Sequence, residues 1–284
     1  MSYIRGHMLY KFLPYDRVDV ISDLRIRFSP LDSLNDPYEA LPSIDLSSLR
    51  EQEVLKVNDR LDSLWERTAD EEKTEDNWQI LSNGRQELVA HITNRLGSSE
   101  VRTELMGLFG DKFGILSLSR TKQNLLMWSH YSSAMTGYVI GFDESHEFFH
   151  RPTLFGEPTK PSPVKYSESR MQFNVHSGDK LDLLCHKPLD WAYEQEERLF
   201  LSLMDDEFKT EHKDNFGNSV YLYPIPPEAI HSVYIGARAS SEIKRKIQLA
   251  IRTNNLDCKI YLGDLSETEY KVDFSEVELK DLIN

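Results

Sequence analysis

The chain has 284 residues, with 33 basic against 47 acidic side chains and a net charge of -14 near neutral pH. That surplus argues against general nucleic-acid binding, which draws on a positive footprint. Hydrophobic residues at 39% and charged residues at 28% belong to a globular protein with its own core, and they exclude a disordered or fibrous chain.

Cys185 and Cys258 are the two cysteines, and neither belongs to a Cys-x-x-Cys pair, so no disulfide framework or thiolate zinc site is expected. No apolar run approaches the roughly 20 residues needed to cross a bilayer, and the N-terminus lacks the apolar centre of a signal peptide. These features predict a cytoplasmic protein with no membrane contact. Arg5-Gly6-His7-Met8 resembles a cloning scar. Residues 1–7 are therefore set aside, and residues 8–284 are read as one domain.

Residues 8–13 read as a strand ending at Pro14, and residues 15–21 as a turn or two of helix. In residues 24–28, Leu24, Ile26 and Phe28 alternate with Arg25 and Arg27, the period of a half-buried strand. Asn35-Asp36-Pro37-Tyr38-Glu39 carries a helix-start pattern. Asp36 is the cap, Pro37 takes the first helical position, Glu39 follows three residues after the cap, and Pro42 stops the turn. This reading assigns Asn35, Asp36, Pro37 and Glu39 to a rigid, buried structural turn.

About residues 46–108 the chain is polar, acidic and helical in period. Leu61, Leu64 and Trp65 mark one segment, and Leu88, Ile92 and Leu96 another. It is read as a helical insertion whose Trp65 and Trp78 are packing residues. Asn83-Gly84 and Gly97-Ser98-Ser99 read as breaks, with a continuous helix through Gly84 as the alternative.

The centre is residues 112–143. Two apolar strands, residues 113–118 and 138–142, flank a short helix carrying Leu125, Met127, Trp128, His130 and Tyr131. Strands this apolar must be covered on both faces. The first ends in Ser117-Leu118-Ser119.

Residues 144–163 form a loop by composition, with Pro152, Gly156, Pro158, Pro161 and Pro163. A brief strand at 164–166, a partly helical stretch at 170–184 and a turn at 187–191 follow. Residues 193–201 are read as extended, with Glu194, Glu196 and Arg198 on one face opposite Glu197, Leu199 and Leu201. Trp191 and Tyr193 beside them suit a ligand shelf.

Phe216-Gly217-Asn218 marks a turn, followed by strands at 220–223 and 230–235. Ile243, Ile247 and Ile251 mark a helix with Lys244, Arg245, Lys246 and Arg252 on a solvated face, and a strand follows at 259–262. The fold class expected is α+β, with a mixed or split central sheet and a helical insertion.

No Gly-rich phosphate loop, His-Glu-x-x-His or Gly-x-Ser-x-Gly is present. No residues stand at metal-ligand spacing, so no metal is expected, and His130 is read as a hydrogen-bonded residue. Serines ending a strand can serve loop backbone, and two glutamates beside Arg198 can be a surface ion cluster.

Leu9-Tyr10-Lys11-Phe12, residues 24–29, Asn35-Asp36-Pro37-Tyr38-Glu39, Ser117-Leu118-Ser119, Met127-Trp128-Ser129-His130-Tyr131 and Trp191-Ala192-Tyr193-Glu194 with Glu196 and Arg198 form a further pattern. On these residues the chain resembles a bacterial family known as domain of unknown function 2971, from about residue 8 to residue 236. It also resembles the ADP-ribosyltransferase fold, in which a first-strand Arg or His, a Ser-x-Ser strand and a Glu-x-Glu motif occur in that order.

Ser117 with Ser119 and Glu194 with Glu196 look like the second and third parts of that pattern. Lys11 stands where it has Arg or His, and Arg27 is a substitute candidate. The resemblance implies NAD or a related nucleotide as substrate, with no other cofactor. Glu196 would bind a ribose hydroxyl and stabilise an oxocarbenium-like transition state, and Glu194 would activate the acceptor. The substrate-binding set is then Lys11, Arg27, Ser117, Ser119, Trp128, His130, Tyr131, Trp191 and Arg198.

The alternative is a non-enzymatic ligand-sensing or partner-binding protein in bacterial defence. A third reading is glycoside hydrolysis by the paired carboxylates.

Overall fold

The computed structural model describes residues 8–38, 43–44, 47–95, 107, 112–151, 159–173, 180–203 and 206–283. Glu39, Pro42, Leu96, Gly97-Ser98-Ser99, Pro152, Gly156 and Pro158 lie outside the described residues. The chain divides into two compact units. One comprises Met1–Glu39, Gly110–Glu168 and Cys185–Asn284, and the other comprises Ala40–Phe109 and Ser169–Leu184.

In chain order the strands are β1 (Met8–Leu13), β2 (Arg25–Pro30), β3 (Ser43–Ile44), β4 (Phe113–Ser119), β5 (Tyr138–Asp143), β6 (Ser162–Pro163), β7 (Lys165–Ser167), β8 (Gln172–Phe173), β9 (His186–Pro188), β10 (Glu196–Ser202), β11 (Lys209–Lys213), β12 (Ser219–Pro224), β13 (Ile230–Ile235), β14 (Lys259–Leu265) and β15 (Val272–Val277). The first unit is built on a sheet in the order β11-β12-β2-β4-β1-β5-β13-β14-β15, with β10 paired to β4 and β6 to β10. Its ladders are antiparallel except β13 with β14, so the sheet is mixed.

Parallel neighbours need a crossover, and the helix Ser241–Thr253 supplies it. Ser240 caps that helix through the Ile243 amide, and Ile243, Ile247, Ala250 and Ile251 are its buried residues. The apolar pattern therefore becomes the covering layer of the sheet.

The burial pattern follows the sequence. Ile26 and Phe28 of β2 are buried while Arg25 is exposed, and β5 is buried from Tyr138 to Phe142. Leu9 and Leu13 of β1 belong to the larger core cluster, whereas Tyr10 and Phe12 pack with Met127, Trp128 and Val139 in a second. Alternation along one strand thus feeds cores on both faces.

At β4 the sheet opens. One edge pairs with β10 along the whole strand, from Glu196 opposite Ser119 to Ser202 opposite Phe113. The other edge is shared, with β2 meeting Gly114 and Ile115 and β1 meeting only Ser119. Among the described strands, none pairs with Leu116, Ser117 or Leu118 on that edge. A buried carbonyl needs a donor, and Lys11 Nζ donates to Ser117 O at 2.9 Å. A side chain fills a gap in the backbone ladder.

Several local readings change. Asp36 begins a turn rather than a helix, and the turn is not buried as a whole, since Asn35 and Pro37 are exposed and Asp36 alone of its described residues is buried. The Asp36 side chain accepts the Tyr38 amide at 2.9 Å, the local bond by which Asp closes turns. Residues 187–191 do not form a simple turn, because β9 leads into a 3₁₀ segment, Leu189–Glu194. The extended run starts only at Glu196, since Gln195 is left-handed with φ 44°. The edge strand β15 was not anticipated.

In the second unit, helices Ser47–Arg67 and Glu75–Arg95 form a pair in which the Trp65 and Trp78 rings meet edge-on at 5.0 Å. The second of them runs unbroken through Asn83 and Gly84. No side-chain contact opposes the missing Cβ of Gly84, and a solvated helical glycine costs only about 1 kcal/mol. The same unit holds the parallel pair β3–β8.

Candidate functional site

A cavity of about 250 Å³ sits where the sheet opens. Of the residues singled out from sequence, Lys11, Asn35, Ser117, Ser119, Tyr131, Glu194, Glu196 and Arg198 line it. They come from β1, the loop after β2, β4, the helix Leu125–Tyr131, the 3₁₀ segment and β10. Lys187 of β9 lines it too, and sequence reasoning missed it because an isolated Lys-Pro pair carries no pattern.

The antiparallel register explains the clustering of hydroxyls and carboxylate. Ser119 stands opposite Glu196 and Ser117 opposite Arg198, so all four side chains share one face of the sheet. Glu194 precedes the strand, and the left-handed turn at Gln195 brings it onto the same cavity. Ser119 Oγ lies 2.6 Å from the Glu194 carbonyl and 3.0 Å from that of Thr121, tying the end of β4 to this turn.

The charged groups form a chain. Lys187 Nζ is 2.7 Å from Glu194 Oε2 and 3.1 Å from Glu196 Oε2, and Arg198 Nε is 2.9 Å from Glu196 Oε1. Arg198 Nη2 reaches Glu196 Oε2 at 3.2 Å, and the Ser117 side chain hydrogen-bonds the same carboxylate. A carboxylate offers about four acceptor positions. Glu196 thus spends all of them inside the protein. Glu194 accepts from Lys187 and from the Tyr131 hydroxyl and keeps capacity to spare.

Burial alone would raise the Glu196 pKa, but Arg198 and then Lys187 outweigh it and hold the carboxyl well below its usual range. Burial opposes the charge on Lys187 as well, and Glu196 and Glu194 outweigh it, so that ammonium titrates above its ordinary value. For Tyr131, burial and then the Glu194 charge raise the phenol far above its ordinary pKa.

Lys11 differs from these. It keeps some surface inside the cavity, yet the protein encloses its ammonium, and that desolvation lowers its pKa from 10.5 to about 8 against the weaker pull of Glu196. Below about pH 8 the amine is charged in both folded and unfolded chains and the burial cost is full. Between about 8 and 10.5 the folded amine is neutral while the unfolded one is still charged, so stability rises with pH. Thermal unfolding from pH 7 to 10.5 is expected to show this rise in the wild type and not in Lys11→Met. Parallel curves for the two proteins would contradict it.

Four of the expected substrate-binding residues do not line the cavity. Arg27 is held by Asp214 at 2.6 Å, which is itself fixed by Ser33. Trp128 is fully buried beneath the site, its Nε1 donating to Lys122 O at 2.6 Å. Trp191 lends its ring to the Lys187 ammonium, 4.9 Å from the centroid. His130 is exposed, its Nδ1 3.0 Å from Tyr193 Oη. Each is explained by packing or pairing that the local sequence does not reveal.

Among the described residues, no group of three or more His, Cys, Asp or Glu could hold a metal ion, and no helix is long and apolar enough to cross a membrane. The functional groups here are amine, guanidinium, hydroxyl and carboxylate.

No curated protein and no solved structure matches the chain. Residues 127–199 match the family model described as Protein of unknown function (DUF2971). That stretch includes Met127, Tyr131, Lys187, Glu194, Glu196 and Arg198, six residues of the cavity wall. Over residues 127–199, then, the chain resembles the domain of unknown function 2971 family.

Proposed function

We propose that the cavity takes one end of NAD or a related nucleotide and acts on the bond between ribose and base, in the manner of an ADP-ribosyltransferase. The observation that carries this reading is the convergence of Lys11, Ser117, Ser119, Glu194 and Glu196 on one cavity. Small-molecule pockets run from about 300 to 1,000 Å³, so a cavity of about 250 Å³ suits a nicotinamide-ribose end and not a whole dinucleotide.

Breaking that bond builds positive charge on the ribose, and a preorganised anion stabilises it. Glu196 contributes through its field, because its acceptor positions are filled. Glu194, with acceptor capacity left, takes the substrate-facing part and receives the proton of the acceptor. Lys11, whose described bond is to a backbone carbonyl, suits a phosphate or carboxylate of the ligand.

The test incubates the protein with NAD and measures released nicotinamide. Release is expected from the wild type, with a drop on the order of a hundredfold or more in Glu194→Gln that is still folded by circular dichroism. The absence of both nicotinamide release and calorimetric NAD binding overturns the reading. The filled acceptors of Glu196 favour a second reading, a ligand sensor without chemistry, for which binding without release is the expected outcome.

A further inference from the structure

We infer that the break in the β4 ladder is an anchoring site for a carboxylate, held between the Lys11 ammonium and the Ser117 backbone N–H. The inference narrows what a ligand of the cavity carries. It does not rest on the nucleotide reading, because an anchor serves an enzyme and a sensor alike.

The backbone directions carry it first. At the two ends of β4, the Lys112 carbonyl accepts the Leu203 amide at 2.8 Å and the Arg120 amide donates to the Gln195 carbonyl at 3.0 Å, both toward the β10 edge. Backbone groups of successive strand residues alternate between the two edges, so the odd-numbered residues of β4 turn theirs the other way. On that edge Ile115 meets Ser29 and Ser119 meets Tyr10, while Ser117 between them meets no described strand. Its carbonyl takes Lys11 Nζ at 2.9 Å. Its N–H points into the same gap, where Phe12 and Ser29 of the flanking strands line the cavity, and it has no acceptor among the described residues. A strand N–H is rarely left without one, and a ligand oxygen there completes the ladder.

The charges point to the same group. Lys187 and Arg198 are paired with Glu194 and Glu196, and Arg17 and Arg27, whose charges also reach Lys11, are paired with Asp19 and Asp214. Among the described residues, Lys11 has no such carboxylate partner and is the surplus cation of the cavity. Its single charge matches a carboxylate, whereas a phosphate monoester carries close to two negative charges near neutral pH. A carboxylate is also planar. It can lie in the sheet where a peptide group is missing, with one oxygen on the Ser117 N–H and the other on Lys11 Nζ.

Enclosure lowers the Lys11 pKa to about 8, Glu196 and Glu194 pull it up, and Arg17 and Arg27 press it down. Lys187 and Tyr131 titrate above their ordinary values and Glu196 below its own, so of these four lining groups Lys11 alone changes charge between pH 7 and 10. A carboxylate bound to the ammonium is therefore released as the pH rises.

The experiment titrates the protein with two acid and amide pairs and follows the Ser117 amide proton by nuclear magnetic resonance. Nicotinate against nicotinamide represents a free small acid, and acetyl-alanyl-alanine against its C-terminal amide represents a peptide end. The acid of at least one pair is expected to shift the Ser117 proton downfield and to bind about tenfold or more tightly than its amide at pH 7. The pair that responds identifies the source. The preference should fall by roughly tenfold per pH unit above about 8, and it should vanish in Lys11→Met. No preference in either pair overturns the anchor, as does a preference that is unchanged between pH 7 and 10 or that persists in Lys11→Met. The pH profile of the wild type decides the matter if that variant does not fold. None of these results depends on nicotinamide release, so the anchor and the nucleotide reading fail separately.

Discussion

Arg198→Met is expected to lower the unfolding free energy by about 3 to 5 kcal/mol, the cost of breaking a buried ion pair from one side. Arg198 is fully buried and meets Glu196 at 2.9 and 3.2 Å. Without it, Glu194 and Glu196 are left to share Lys187, so one buried carboxylate is undercompensated. Glu196→Gln has the mirror problem, because it removes the charge of the carboxylate that Lys187 and Arg198 share. The swap keeps size but not charge balance, and it therefore tests the fold as much as any chemistry.

Urea unfolding at pH 7 measures both variants, and the double variant should recover part of the loss because neither charge remains. A loss below about 1 kcal/mol, the level of an exposed pair, would show that the network carries little stability. The pH sign follows from the depressed Glu196 pKa. Its contribution is present above the unfolded carboxyl value and fades as pH falls through the lower folded one.

Trp128→Ala should cost about 3 to 5 kcal/mol, as deletion of a large buried aromatic does. The indole is fully buried, edge-on to Phe12 with centroids 5.4 Å apart and tilted against Phe274 at 5.9 Å. Its N–H also holds the Lys122 carbonyl. Trp128→Phe keeps most of the packing and orphans that carbonyl, for a smaller loss of about 1 to 3 kcal/mol. If Trp128 contacted ligand instead, affinity measured below the unfolding range would fall in both variants with little change in stability. Equal stability of Trp128→Phe and wild type would remove the hydrogen bond from the account.

The strands were legible wherever apolar residues ran together or alternated. Residues 8–13, 113–118, 138–142 and 230–235 carry long apolar stretches, and Ile243, Ile247 and Ile251 name a helix face. The edge strand β15 was not, because its exposed Asp273 and Glu276 mask the pattern. Site residues on strands, such as Ser117, Ser119, Glu196 and Arg198, could be placed on one face from alternation. Lys187 could not, since its position depends on β9 meeting β7 and on two glutamates several residues ahead. Aromatic character makes Trp128 and Trp191 visible in the sequence as candidate ligand residues, but the direction of a ring is not visible there, and neither lines the cavity.

The opening at β4 has a consequence for how the protein is made. Lys11 and the Ser117 carbonyl it caps lie 106 residues apart, and β1 pairs with β4 and β5, both made long after it. At a synthesis rate of about 5 to 20 residues per second, β1 waits roughly 5 to 20 s on the ribosome before its partners emerge. During that interval Tyr10 and Phe12 have no sheet to cover them. The cavity is therefore a late product of biogenesis, and a chain halted before β4 would present a sticky, unpartnered strand to chaperones rather than half of a working site.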